Sequence, residues 1–404
     1  MSTVEPLLQR YGSPLYVYRL ERVDEALTDL RAALPETSTI YYSLKANPHP
    51  AIVRRLHGSG CRAEISSPGE LAAMIEAGVP GGSCLYTGPA KTDSELLTAM
   101  EAGVRRFSVE SVTDLQRVGK AASRLGTTAD CIVRVNGAVA GASGLRMTGA
   151  ATQFGIDVAE IPALKSQLHQ VPGTRLVGTH FFPLSNARDE HSLLAEFRAS
   201  IDTAAGLCMP MSVVDLGGGF AAPYARPGER PRYADLRQGL ESALDEKLPS
   251  WRSGGVEVAF ESGRYLTGDC GTLVCTATEL KRVKDRTFVL LDAGINHLGG
   301  MAGLGRLLRP QATPTPASGA ASTAATPVTI VGPLCTPADV LGHNVPVGLL
   351  DTGSRVTFPN VGAYGLTASL VGFLSRSAPA EVVLDHDTVV SASRLELVRA
   401  ELTP

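Results

Sequence analysis

The strongest constraint on this chain is a recurring pattern: short apolar runs alternate with helix-length amphipathic stretches through its first two-thirds. The runs are Thr39–Leu44, Cys61–Ile65, Ser83–Thr87, Arg106–Val109, Cys131–Val135, Leu176–His180, Val213–Leu216 and Glu257–Phe260. Helical patterns follow them, such as Pro50–Leu56, Pro68–Ala77, Thr113–Arg124 and Arg188–Ala205. About eight strand–helix units in roughly 230 residues favour a parallel (β/α)8 barrel, of the TIM type, over an open doubly wound sheet. The pattern stops near residue 266. Beyond it, Thr272–Thr276, Thr287–Leu291, Pro327–Val331, Ser354–Phe358 and Glu381–Leu384 read as strands without long helical periodicity. Leu15–Tyr18 reads as a further strand able to join them. The expected organisation is an α/β barrel over residues 25–265, with residues 1–24 and 266–404 forming a β-barrel or sandwich domain. Residues 311–327 are low-complexity and read as a surface loop without chemistry.

Composition narrows the class of function. A net charge of −3 over 404 residues lacks the electrostatic footprint of a nucleic-acid or anionic-membrane binder. No apolar run reaches the roughly 18 residues of a membrane span, and Met1–Pro6 lacks the layout of a signal peptide. Seven cysteines without C-x-x-C spacing indicate neither a disulfide framework nor a zinc site, and no metal is expected. The expectation is a soluble cytoplasmic protein.

Three motifs carry chemistry. Lys45 ends the first barrel strand, where active residues of such barrels lie; partial desolvation there would suit imine chemistry, although exposed lysines also end strands. Asp215 and Leu216 precede Gly217, Gly218 and Gly219, whose backbone N–H groups can converge on a phosphate or simply form a turn. Glu261, Ser262, Gly263 and Arg264 follow the last strand, placing a carboxylate and a guanidinium where they can hold a ring nitrogen and a phosphate, or pair with each other at the surface. A lysine, a phosphate loop and a carboxylate for a pyridine nitrogen together suit pyridoxal phosphate.

With these motifs in place, the chain resembles the fold-type III pyridoxal-phosphate decarboxylases, the family of diaminopimelate and eukaryotic-type ornithine decarboxylases. The matching residues are Tyr42–Asn47, His180, Gly217–Gly219, Glu261–Arg264, Gly332–Asp339 and Val361–Gly365, in order along nearly the whole chain. The resemblance implies a barrel with a C-terminal β domain and a homodimer with two shared active sites. It makes Lys45 the cofactor-linking lysine, His180 the residue stacked on the ring, and Glu261 the partner of the ring nitrogen. It gives the phosphate to Gly219, Arg264 and Tyr364, with Gly217, Gly218 and Gly263 beside them. It makes Cys335, entering from the partner subunit, the acid that reprotonates the substrate carbon. Glu64 stands where many relatives have aspartate behind the cofactor.

The departures concern phosphate and substrate. Phe181, Phe182 and Pro183 follow His180, so Pro183 occupies the position of a phosphate-binding hydroxyl and Ser185 is the substitute. Thr336 replaces the acid that meets a distal ammonium in ornithine and diaminopimelate enzymes. Arg306 and Arg309 are candidates for a substrate carboxylate or a phosphopantetheine phosphate, and Asp339 is a further candidate substrate residue. The motifs are closest to a secondary-metabolism branch that includes the butirosin-pathway (antibiotic) decarboxylase of glutamate carried on an acyl carrier protein. The expected function is α-decarboxylation of an amino acid, small and free or conjugated to a carrier. The alternatives are a free diaminopimelate or ornithine decarboxylase, a racemase of the same barrel, and an inactive binding homologue.

Overall fold

The computed structural model describes residues 4–137, 145–146, 152–299, 312–316, 326–348 and 350–401. The chain divides into two compact units: Asp24–Ala221 with Pro231–Leu266, and the remainder, made of residues up to Val23, Ala222–Arg230 and Thr267 onward.

In the remainder, a helix over Val4–Tyr11 precedes strand β1 (Leu15–Arg19). The larger unit is the barrel. Its strands are β2 (Thr39–Ser43), β3 (Arg62–Ile65), β4 (Cys84–Tyr86), β5 (Arg106–Val109), β6 (Ala129–Asn136), β7 (Thr174–His180), β8 (Val213–Asp215) and β9 (Glu257–Ser262). Each pairs in parallel with the next, and β9 closes the ring by pairing with β2. These are the eight runs expected from the sequence, in a closed barrel. Inward residues Tyr41, Leu85, Ile132, Val177, Val213 and Ala259 pack as one cluster and fill it. At the strands' N-terminal end, Arg62 and Arg106 both bind Glu257, at 2.7 and 3.1 Å, and Arg106 also donates to the Tyr41 hydroxyl.

Local chemistry sets where the outer helices start. Ser111 caps Val112–Arg124 by accepting from Asp114 N at 3.0 Å, and Asp189 caps Glu190–Gly206 by accepting from Ser192 N at 2.9 Å. Thr92 and Glu95 form a reciprocal capping box ahead of Asp93–Glu101. Among the described residues no helix is long and apolar enough to cross a membrane.

The second unit is built on a long strand, β10 (Gly271–Val283). It runs antiparallel to β1, to β11 (Arg286–Leu291) and to β14 (Arg355–Pro359). β12 (Thr326–Val331) lies parallel to β11 and antiparallel to β13 (Val340–Val347). β1 pairs in parallel with β15 (Ala380–Asp385), which turns back into β16 (Thr388–Arg394). Leu7, Leu8, Leu15, Val17, Val274, Ala380, Val382 and Leu384 form a core cluster of this unit. The sequence did not announce β13, whose Gly342, Asn344 and Pro346 are turn formers, nor β16, which is exposed along most of its length. It also did not announce the Ala222–Arg230 excursion, which has no periodicity. That segment is held by Asn360, which donates to the Arg226 and Gly228 carbonyls, and by an ion pair between Arg230 and Asp269.

Asp339 has a structural part within this unit. Its carboxylate is buried and accepts from Leu334 N at 2.7 Å and Ile295 N at 2.8 Å. Through these two bonds it joins the Pro333–Leu334–Cys335 turn to the Ile295 turn. Asp339→Ala is expected to weaken both anchored turns by about 3 kcal/mol. Amide exchange at Leu334 and Ile295 would then be about a hundredfold faster; unchanged protection would show that the carboxylate is not the anchor.

Candidate active site

The site is built at the C-terminal ends of the barrel strands, where side chains from different strands converge. β2 ends at Ser43, and a tight 3-10 turn over Leu44–Ala46 carries Lys45 into this mouth. Its Nζ lies 3.0 and 3.3 Å from the two Glu64 oxygens. Glu64 projects from β3, is 1% exposed, and also accepts from Thr87 Oγ1 at 2.5 Å. The Phe182 ring centroid is 5.4 Å from Lys45 Nζ, a cation–π contact. The Lys45 side chain keeps 38% exposure, a partly desolvated setting in which the buried Glu64 carboxylate is its counter-charge.

Behind it lies a buried polar group. His180 ends β7, Asp215 ends β8 and Glu261 lies near the end of β9; all are at most 2% exposed. Ser108 Oγ, from β5, is 2.7 Å from His180 Nδ1 and orients the ring. His180 Nε2 is 3.1 Å from Glu261 Oε1 but not aligned for a hydrogen bond, so both atoms are buried and unsatisfied. Asp215 Oδ1 accepts from Gly217 N at 2.9 Å, while its Oδ2 has no partner. Burial and then the charge of Glu261 push Asp215 up to about 7. Burial also acts to raise Glu261, but His180, Lys45 and Arg134 outweigh it and hold the carboxyl down at about 2. Glu261 is thus the anion of the group.

The glycine run supplies the cradle. Gly217 and Gly219 have φ of +73° and +122°, a region that disfavours side chains. A Cβ on Gly218 would meet the Glu261 carbonyl at 2.6 Å, and one on Gly263 would meet Ala46 Cβ at 2.7 Å. Gly217 O also accepts from Glu261 N at 2.8 Å, tying loop to strand. Pro183 is buried, and Ser185 lies on the short strand Leu184–Ser185, next to Leu184, whose carbonyl would lie 3.3 Å from a Cβ on Gly219. Arg264 opens a single helical turn, Arg264–Thr267.

In the other unit, Cys335 is exposed on the turn anchored by Asp339, with the half-buried Thr336 beside it. Tyr364 has a left-handed backbone, φ +54°, and its carbonyl accepts from the Tyr224 hydroxyl at 2.9 Å. Arg306 and Arg309 lie outside the described residues.

Sequence reasoning missed the supports. Arg134 lies two residues before the end of β6 and is ion-paired at 2.8 Å with Glu110, which also accepts from Gly155 N. Lys91 and Asp114 form a second buried pair at 2.7 Å, and Glu110 N donates to the same Asp114 oxygen. The one available signal was a charged residue set inside an apolar run, as in Cys131–Asn136.

The polar atoms left unsatisfied between Lys45 and the glycine cradle fit a flat, phosphorylated ring with a protonated nitrogen. Comparisons with known proteins agree. A family described as "Pyridoxal-dependent decarboxylase, pyridoxal binding domain" matches residues 20–268. The L-glutamyl-[BtrI acyl-carrier protein] decarboxylase of Niallia circulans is 28% identical, over 94% of this chain and 90% of that one. A diaminopimelate decarboxylase of Neisseria meningitidis is also 28% identical, over 98% and 95% respectively. The crystal structure of diaminopimelate decarboxylase from M. jannaschi superposes with a TM-score of 0.83 at 25% identity, covering 95% of this chain and 90% of that one. A match of fold, family and cofactor chemistry on this scale makes the chain a member of the pyridoxal-dependent decarboxylases.

Proposed function

We infer that the protein removes the α-carboxyl group of an amino-acid unit borne on a neutral, anionic or carrier-linked side chain, in specialised metabolism. The observation that carries the site assignment is the buried, unsatisfied His180–Glu261 pair facing Lys45 and the glycine cradle. Bound pyridoxal phosphate supplies the electron sink for the departing carboxylate's bonding pair. The chain's own residues do the rest. Lys45 would hold the cofactor covalently, Glu261 would accept a hydrogen bond from the ring N–H, and His180 would lie against the ring. Backbone N–H groups of Gly218 and Gly219, with Gly217 shaping the loop and Ser185, Gly263 and Arg264 beside it, would hold the phosphate, and Glu64 would pair with the free Lys45 ammonium.

Cys335 is the proposed proton donor to the substrate carbon, contributed by the partner subunit of a homodimer. Five of the seven cysteines are buried, whereas Cys335 is exposed on an anchored turn. All seven cysteines are free, as suits a cytoplasmic, reducing setting. Mixing inactive Lys45→Ala and Cys335→Ala proteins should restore up to about one native site per heterodimer. Failure to recover activity despite subunit exchange would refute sharing.

The substrate reading rests on Thr336. A buried ammonium without a counter-charge costs about 3 kcal/mol, roughly a hundredfold in kcat/KM. Free ornithine, lysine and diaminopimelate are therefore expected to be poor substrates in a CO2-release screen, and carrier-linked glutamate a better one. Thr336→Asp should shift preference toward the diamino acids. Turnover of free diaminopimelate near 10⁴ M⁻¹s⁻¹ by the native protein, about the lower end of ordinary enzyme efficiency, would favour the diaminopimelate decarboxylase reading instead.

A further inference from the structure

The buried group at the mouth contains one residue that the reading above leaves unused. Asp215 is fully buried, and one atom each from Asp215, His180 and Glu261 lies within 4.8 Å of the others. Two carboxyl groups so close in a dry site cannot both ionise without severe repulsion. The charges facing them are Lys45 from the turn after β2, Glu64 from β3 and Arg134 from β6, with His180 between them on β7. The cations and the imidazole favour ionisation of Glu261, whereas Asp215 feels mainly burial and the Glu261 and Glu64 carboxylates. The contacts of Asp215 agree with this division: Oδ1 accepts a single backbone N–H, and Oδ2 is buried and receives no donor that would stabilise an anion.

We propose that Asp215 is a positioning residue held as a neutral acid, which fixes the glycine loop through Gly217 N and leaves Glu261 the only anion facing the cofactor nitrogen. The inference rests on the cofactor-binding reading above. Its physical content is a division of labour between two adjacent carboxyl groups. One is ionised and meets the ring, and the other is protonated and braces the phosphate loop from β8. Burial supports the same state, because it pushes Asp215 up to about 7.

The test exploits the shape of asparagine, which keeps an acceptor for Gly217 N and places a donor where the acid's hydroxyl would be. Native protein, Asp215→Asn and Asp215→Ala are stripped of cofactor and titrated with pyridoxal phosphate at pH 7.5, reading visible absorbance. The Asn variant should bind within about threefold of native and the Ala variant at least tenfold more weakly. The second readout is thermal unfolding of the stripped full-length proteins against pH. Native Asp215 would keep a proton that the unfolded chain loses between about pH 4 and pH 7, so native stability falls across that window. The unfolding temperature of the Asn variant relative to native should therefore rise as pH rises through it, by at least about 4 °C. An Asn variant as impaired in binding as Ala, two variants that both bind like native, or a pH-independent difference in unfolding temperature would each overturn the proposal. If native protein itself binds no pyridoxal phosphate, the cofactor reading falls and this inference with it; if native binds and only the Asn variant fails, this inference falls alone.

Discussion

Lys45→Ala is expected to lower kcat by at least about 10³-fold, the scale seen when a covalent catalytic group is removed. Borohydride treatment of the native holoenzyme should fix the cofactor on the peptide carrying Lys45. The substitution also leaves Glu64, 1% exposed, with Thr87 as its remaining hydrogen-bonding neighbour in place of a cation. Because the Lys45 side chain is 38% exposed, the stability loss is screened and amounts to about 1–2 kcal/mol. A Lys45→Met, Glu64→Gln double variant separates the two effects. It should regain stability, since no buried anion remains, and still be inactive. Recovery of the borohydride adduct on any other lysine would remove Lys45 from the chemistry.

The second large effect is expected at Glu261. Glu261→Gln should reduce kcat by about 10²–10³-fold, the usual cost of deleting one oriented electrostatic partner in a dry site. An amide has no charge with which to hold a proton on the ring nitrogen, so the electron sink is weakened. Cofactor binding should fall much less, because the glycine cradle holds the phosphate independently. The visible absorption of the bound cofactor should change with pH in the variant over a range where the native spectrum is constant. A variant within threefold of native kcat would show that Glu261 does not face the ring.

The barrel was legible because its physics is repetitive. Every strand buries both faces, so each reads as an apolar run, and each crossover helix shows its own apolar stripe. Lys45, Glu261 and the glycine triplet were legible because polar or conformationally free residues sit where such runs end. The Asp339 anchor was not. A carboxylate near Cys335 reads from the sequence as a substrate ligand, and only the fold brings Leu334 N and Ile295 N to it as donors. Ser108, Glu110 and Arg134 were invisible for a related reason: their partners are 72, 45 and 24 residues away in the chain. The strand β16 shows the opposite limit, since an edge strand exposed along most of its length leaves no apolar pattern to detect.

The pairing of β1 has a consequence for synthesis on the ribosome. All eight barrel strands have been made once Ser262 is joined, so the barrel can close while the rest of the chain is still being translated. β1 is made before any of them, yet its neighbours in the sheet are β10 and β15, and β15 ends at Asp385. At about 5–20 residues per second, roughly 120 further residues take between about 6 and 25 seconds. Through that interval Leu15, Tyr16 and Val17 wait as an unpaired apolar strand, the kind of edge that invites association with other chains. Aggregation during expression should therefore respond to charged substitutions in β1 and to slower growth temperature more than to changes in the barrel.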